Sequence, residues 1–292
     1  MSSLKIGLPS GSLQESTLQL FSRAGYRIRI NPRSYTPAID DPELQGLLLR
    51  AEEIAHYVER GLLDVGLTGK DWILENDADV VEIADLSYSR STAQPVRWVI
   101  AVPDESPIRT IQDLEGTRIA TELVGMTRRF LKEKGLEAEV EYSWGSTEAK
   151  VRVPGLVDAI VELTETGSSL RANRLRVIET LFESTPRFIA NREAWDDPWK
   201  KEKALNIATL LVGAFEAEAK VGLKMNVRRA DLEAVVKHLP ALNNPTISNL
   251  LDEQWIAVEV ILDEKTVRDV IPALIKSGAT GIIEYPLNKV IY

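Results

Sequence analysis

The chain has 292 residues, of which 44% are hydrophobic and 27% charged, and its formal net charge is -9. That size and balance predict a globular protein of two or three domains with a sizeable core, and the acidity argues against general nucleic-acid binding. Cysteine is absent and the only histidines are His56 and His238, which excludes disulfides, thiolate chemistry and a histidine-rich metal centre.

In chain order, Leu4 to Leu8 reads as a first strand, Pro9-Ser10-Gly11-Ser12 as a turn, and Leu13 to Ala24 as a helix with Leu18, Leu20 and Phe21 inward. No signal peptide precedes this strand and no 18-residue apolar span occurs, so a cytoplasmic protein with no membrane partner is expected. Ile28 to Ile30 is a short strand, followed by a loop containing Arg33, Tyr35, Pro37, Asp40 and Asp41. Leu47 to Leu49 is strand-like, Glu52 to Arg60 a short helix, and Leu62 to Leu67 a buried strand ending in Thr68-Gly69-Lys70-Asp71. Strands alternating with helices predict a parallel α/β sheet.

A second unit begins near Val96. Arg97 to Val102, Arg118 to Thr121 and Glu139 to Tyr142 read as strands, with a turn-helix at Ile111 to Leu114 and a helix from Thr127 to Lys134 ended by Gly135. Leu63-Asp64-Val65-Gly66-Leu67 echoes Val157-Asp158-Ala159-Ile160-Val161, a weak sign of two similar lobes. After about residue 195 the composition changes. Trp195 to Ala219 is helical; Lys220 to Val227, Thr246 to Leu250, Trp255 to Leu262 and Gly281 to Tyr285 then read as strands, with helices at Ala230–His238 and Glu264–Ser277. This β-α-β-β-α-β order is the ferredoxin-like signature, found in amino-acid-sensing modules and equally in dimerisation domains.

The densest chemical signal lies between these regions. Val157 to Val161 is a buried strand, followed by Glu162, Glu165 and then Thr166-Gly167-Ser168-Ser169, with a helical pattern opening at Leu170. A strand turning through small hydroxyl residues into a helix presents unpaired N–H groups at the positive end of the helix dipole, which suits an anion. Thr166, Ser168 and Ser169 add hydroxyls and Gly167 lets the backbone close round a phosphate. Glu162 and Glu165 would repel that phosphate and suit ribose hydroxyls instead. The segment reads as a ribose-5-phosphate cradle or as an ordinary capped helix.

Leu63-Asp64-Val65-Gly66-Leu67-Thr68-Gly69-Lys70-Asp71, Gly116-Thr117-Arg118-Ile119-Ala120-Thr121-Glu122, Asp158-Ala159-Ile160-Val161-Glu162 with Thr166-Gly167-Ser168-Ser169-Leu170, and Asn244-Pro245-Thr246-Ile247, taken together, resemble the ATP phosphoribosyltransferases that open histidine biosynthesis. The likeness spans the chain and is closest to the long form. It implies two periplasmic-binding-protein-like lobes, with residues 1–96 and about 179–195 in the first and 97–178 in the second. A helical connector at 196–219 and a ferredoxin-like, ACT-like regulatory domain at 220–292 would follow. It also implies a homo-hexamer built from dimers, Mg2+, and feedback inhibition by histidine. The implied reaction is attack of N1 of ATP on C1 of phosphoribosyl pyrophosphate, with release of pyrophosphate. Rival readings are a two-lobed solute-binding protein and an amino-acid-responsive regulator.

On that resemblance Arg33 and Arg50 face phosphates and pyrophosphate as the catalytic pair, and Glu162, Glu165, Thr166, Gly167, Ser168 and Ser169 hold phosphoribosyl pyrophosphate. Ser10, Gly11, Ser12 and Asp71 would contact ATP, Asp71 serving equally well as a helix cap. Leu242, Thr246 and Gly281 would bind inhibitory histidine. Two departures stand out: Ser10-Gly11-Ser12-Leu13 replaces the family's Lys-Gly-Arg-Leu, losing both charges, and Glu162 and Ser169 replace Asp and Thr.

Overall fold

Residues 2–31, 33–86, 96–239 and 244–292 are described by the computed structural model. They divide into two compact units, residues 1–22 with 26–208 and residues 23–25 with 209–292. The first unit opens with β1 (Leu4–Ser10), a 3-10 turn at Gly11–Leu13 and α1 (Gln14–Ala24). A small hairpin, β2 (Ile28–Arg29) with β3 (Ala38–Ile39), precedes β4 (Leu44–Arg50) and α2 (Ala51–Glu59). Next come β5 (Val65–Gly69), α3 (Lys70–Glu75) and β6 (Val81–Asp85). The second group comprises β7 (Val96–Pro103), β8 (Arg118–Thr121), α4 (Val124–Glu133), β9 (Glu139–Tyr142), α5 (Thr147–Lys150), β10 (Ala159–Thr164), α6 (Ser168–Ala172) and β11 (Leu175–Ser184). The chain then enters β12 (Pro186–Ala190).

These strands form two five-stranded sheets, ordered β4-β1-β5-β12-β6 and β11-β7-β10-β8-β9. In the first, β1 runs parallel to β4 and β5 while β12 is antiparallel to β5 and β6. In the second, β8 runs parallel to β9 and β10 while β7 is antiparallel to β10 and β11. The three parallel strands of each sheet therefore end on one side, and ligands of such sheets bind outside those carboxyl ends. Burial explains the central strands: Leu4, Ile6 and Leu8, Val99 to Val102, and Ala159 to Val161 are at most 1% exposed, as strands covered on both faces must be.

Three differences from the expected elements have local causes. The strand expected at Leu62 starts instead at Val65, because the amides of Leu62 and Leu63 both donate to the Tyr57 carbonyl and close α2. β6 is an edge strand whose Glu82 pairs with Lys70 and Arg187, so its apolar alternation is diluted. β11 keeps pairing with β7 as far as Ser184, so the crossing back to the first sheet falls at Thr185 rather than near residue 178.

α7 (Arg192–Asp196) and α8 (Pro198–Glu216) follow. The second unit then contains β13 (Lys220–Arg228), α9 (Leu232–Val236), β14 (Thr246–Asn249), β15 (Trp255–Asp263), α10 (Glu264–Lys276) and β16 (Thr280–Pro286). Its sheet is ordered β14-β15-β13-β16 with every neighbour antiparallel, the order of a split βαβ. Leu223, Met225, Val227, Ile256, Val258 and Leu262 from its two central strands pack with Val235, Val267 and Leu274 of the helices. Among the described residues no helix is long and apolar enough to cross a membrane.

Candidate active site

The carboxyl ends of parallel strands from both sheets of the first unit converge on one cavity of about 430 Å³. The first sheet brings Ser10 to Leu13 from the end of β1 onward, Arg50 to Glu52 from the end of β4, and Gly69, Asp71 and Trp72 from the end of β5. The second brings Glu122 after β8, Glu162 and Leu163 from β10, and Trp98 from β7, while Ser184 to Pro186 form the crossing between the sheets. The topological rule thus predicts the position, and the mixture of polar and aromatic lining suits a nucleotide-sized ligand.

Asp71 ties the two sheets together. It is 5% exposed. One carboxylate oxygen accepts from the Trp98 indole N–H at 2.9 Å and the other from the Trp72 amide at 3.0 Å. The Asp71 amide donates to Ser184 Oγ at 3.1 Å. Burial raises the Asp71 pKa while these donors oppose the rise. Gly69 makes the fold-back possible: a Cβ there would lie 1.9 Å from Asp71 Oδ1. Glu75 makes a second tie, accepting from the Gly125 and Met126 amides at the start of α4, both at 2.8 Å.

Acidity dominates the cavity. Among the described lining residues Glu52, Asp71, Glu122 and Glu162 face a single cationic side chain, Arg50. Burial pushes the Glu162 carboxyl up to about 7, helped by the charges of Glu148 and Glu122 and opposed by hydrogen bonds from the Leu163 amide and Thr147. Glu122 is raised by burial and by Glu52, with Arg50 and Lys150 acting the other way. A carboxyl that titrates near neutrality in a cleft, for stated electrostatic reasons, marks a functional candidate.

Beyond Glu162, β10 ends in the predicted cradle. The Gly167 amide donates to Thr164 Oγ1 at 2.9 Å, closing the loop, and Gly167 has φ 72°. The hydroxyls of this loop are already engaged: Thr166 Oγ1 bonds Ser168 Oγ at 3.1 Å and Ser169 Oγ bonds Glu148 Oε1 at 2.6 Å. Arg171 curls back so that its guanidinium donates to the Thr166 carbonyl at 2.9 Å. α6 has only five residues, so its dipole is small, and any anion affinity rests on first-turn amides, hydroxyls and Arg171. Thr166, Gly167, Ser168, Ser169 and the half-buried Glu165 do not line the cavity itself; Glu148 links Ser169 to the surroundings of Glu162.

The remaining candidates divide. Arg50, Ser10, Gly11, Ser12, Asp71 and Glu162 meet in the cavity, whereas Arg33 is exposed on the loop between β2 and β3 and is not among the lining residues. In the second unit Thr246 is exposed on β14 and Gly281 lies in β16, at opposite edges of the sheet. Leu242 lies outside the described residues. Sequence reasoning missed Trp98, Trp72 and Glu122 as lining residues. Glu122 could have been found, because it directly follows a predicted strand; Trp98 sits inside an apolar strand and looks like core.

The sequence matches the family model described as "HisG: ATP phosphoribosyltransferase" over residues 50–213. The model described as "HisG, C-terminal domain" matches residues 217–289. Over 288 residues the chain is 61% identical to the ATP phosphoribosyltransferase of Thermodesulfovibrio yellowstonii, covering 99% of this chain and 98% of that protein. It is 58% identical to the protein of the same name from Prosthecochloris aestuarii, covering 99% and 97%. Among solved structures, a chain of the ATP phosphoribosyl transferase (HisG:HisZ) complex from Thermotoga maritima superimposes with a TM-score of 0.61 at 24% identity, over 72% of this chain and 98% of that one. With similarity that spans both units, this chain belongs to the ATP phosphoribosyltransferase family.

Proposed function

We propose that this chain joins ATP to phosphoribosyl pyrophosphate as the committed step of histidine biosynthesis. N1 of the adenine attacks C1 of the ribose, the bond from C1 to the pyrophosphate oxygen breaks, and pyrophosphate leaves with that electron pair. The observation that carries this reading is family membership along the whole chain, and the acidic, aromatic-walled cavity at the strand ends supports it. No proton has to move in the bond-making step, since adenine N1 is unprotonated at neutral pH and the positive charge stays on the ring. The chain therefore needs neither a nucleophile nor a general base, which suits a protein without cysteine. Its task is to hold two polyanions in line and to favour the charges that develop.

Within this reading Glu162 and Glu165 meet the ribose hydroxyls, and Thr166, Gly167, Ser168 and Ser169 hold the 5-phosphate through amides and hydroxyls. Arg50 faces the departing pyrophosphate. Ser10, Gly11 and Ser12 serve ATP through hydroxyls and backbone amides in place of the charges that this loop lacks. Asp71 shapes the wall through its bond to Trp98, and Arg33 reaches phosphate only from outside the cavity lining. The lining also fits Mg2+. Its carboxylates would repel a bare polyanion, and one or two carboxylates plus substrate phosphates is a donor set that Mg2+ accepts, with Glu122 and Glu162 as its holders. Bound Mg2+ would offset the charge of the leaving pyrophosphate.

The same reading makes the lobes periplasmic-binding-protein-like and the second unit a ferredoxin-like, ACT-like regulatory domain, in a cytoplasmic homo-hexamer of dimers inhibited by histidine. Because Thr246 and Gly281 lie on opposite edge strands, a histidine site using both requires two copies of the chain. The test is pyrophosphate release measured with ATP, with phosphoribosyl pyrophosphate, and with both; release without either one contradicts the proposal.

A further inference from the structure

Tyr142 and Trp144 lie outside the cavity lining and form an exposed aromatic pair. Trp144 is 89% exposed and Tyr142 is 46% exposed, and their rings meet edge to face at 4.5 Å between centroids. Large aromatic surfaces left in water mark contact sites more often than isolated aliphatic ones do. Their position is fixed by topology. Tyr142 is the last residue of β9 and pairs with Thr121 of β8, and the residue after Thr121 is Glu122, which lines the cavity. The pair therefore stands at the same carboxyl-end rim, one strand further out.

The ground beneath it is rigid. Ser143, between the two aromatics, is fully buried. Its amide donates to the Thr121 carbonyl at 2.8 Å, and its hydroxyl meets Thr147 Oγ1 at 2.8 Å and Lys150 Nζ at 2.7 Å. Gly145 and Ser146 then turn the chain through positive φ, 107° and 52°, into α5. Trp144 is thus presented on an anchored turn, with little ordering left to do on binding.

We propose that Tyr142 and Trp144 form the stacking platform for the purine base of the nucleotide substrate; this rests on the reading of function above. The electrostatics select the base over the phosphates. Burial raises the Tyr142 hydroxyl pKa, and the charges of Glu122, Glu52 and Glu75 raise it further against the opposing charge of Arg50, so carboxylates outweigh the cation at this rim. They disfavour a phosphate there, favour the amino edge of adenine, and stabilise the ring once alkylation at N1 makes it positive. Stacking on an aromatic face needs no base-edge hydrogen bond, because every base has a π-face.

The test uses the intact enzyme. Trp144→Ala should raise KM for ATP about tenfold with KM for phosphoribosyl pyrophosphate unchanged, while Trp144→Phe should keep KM for ATP near the wild-type value. Adenosine monophosphate should quench the tryptophan fluorescence of wild type, inorganic tripolyphosphate should quench it less, and Trp144→Phe should lose the share due to Trp144, keep any due to Trp72 and Trp98 of the cavity wall, and still bind. An unchanged KM for ATP in Trp144→Ala overturns the proposal, and so does that result combined with a smaller oligomer, which would make the pair a contact between copies. Wild type that is quenched by adenosine monophosphate but releases no pyrophosphate would keep the platform and remove the proposed reaction. Normal release with no quench would do the reverse.

Discussion

Glu162 should cost stability at the pH where it serves the reaction. Its carboxyl is pushed up to about 7 in the folded chain, against an ordinary value of 4.5. Between those values the folded chain holds a proton that the unfolded chain has released. Stability from this group is therefore full below about pH 4.5, is lost as pH rises through 7, and stays flat above. The interval is worth at most about 3–4 kcal/mol, and roughly half of that if water entering the cavity screens the charge. Glu162→Gln keeps the shape and the acceptor for the Leu163 amide, 3.0 Å away, but cannot ionise. In urea unfolding, the variant should match wild type near pH 5 and exceed it by about 1–3 kcal/mol at pH 8. Its transfer rate should fall, since the amide no longer offers a carboxylate to ribose or to Mg2+. Other titrating groups cancel in the difference. A stability difference that is the same at pH 5 and pH 8, or a variant less stable at pH 8, would refute the reasoning.

Gly167→Val should abolish phosphoribosyl pyrophosphate binding by calorimetry while the protein stays folded. The cost of a side chain at φ 72° is roughly 1–2 kcal/mol, and the new Cβ, 2.9 Å from Arg171 Nη1, meets only the movable end of a side chain. Arg50→Glu should lower turnover by on the order of 100-fold or more, and Arg33→Glu, outside the cavity lining, by far less; a wild-type rate in Arg50→Glu would make Arg50 a surface charge. Histidine at millimolar concentration should inhibit the full-length enzyme and inhibit Thr246→Ala less, with uninhibited rates alike, because linkage requires only that histidine favour one state. A full-length enzyme indifferent to histidine removes the regulatory role without touching catalysis.

Much of the architecture was legible because it is written in local patterns. Arg118–Thr121, a short β-branched run, and Glu139–Tyr142, an apolar alternation, are bounded by turns and stand as expected, and the strand and helix order of the second unit follows the same logic. Elements whose signal is tertiary were not legible. β6 is an acidic edge strand, and the apolar Leu62-Leu63 pair serves a helix-closing turn. At the site, Arg50 and Ser10, which end parallel strands, were nominated through the family resemblance. Trp98 could not be nominated, because its indole reaches Asp71 across 27 positions of sequence, and nothing local distinguishes it from core. The rise in the Glu162 pKa was hidden for a similar reason: it depends first on burial and then on Glu148 and Glu122, neighbours brought in by α5 and β8.

The most direct test of the central claim is the bond itself. ATP labelled with 15N at adenine N1 and phosphoribosyl pyrophosphate labelled with 13C at C1 should give a product with one-bond coupling between those atoms. One pyrophosphate should be released per bond formed. Pyrophosphate without that coupling, or coupling to any other atom of the nucleotide, would contradict it.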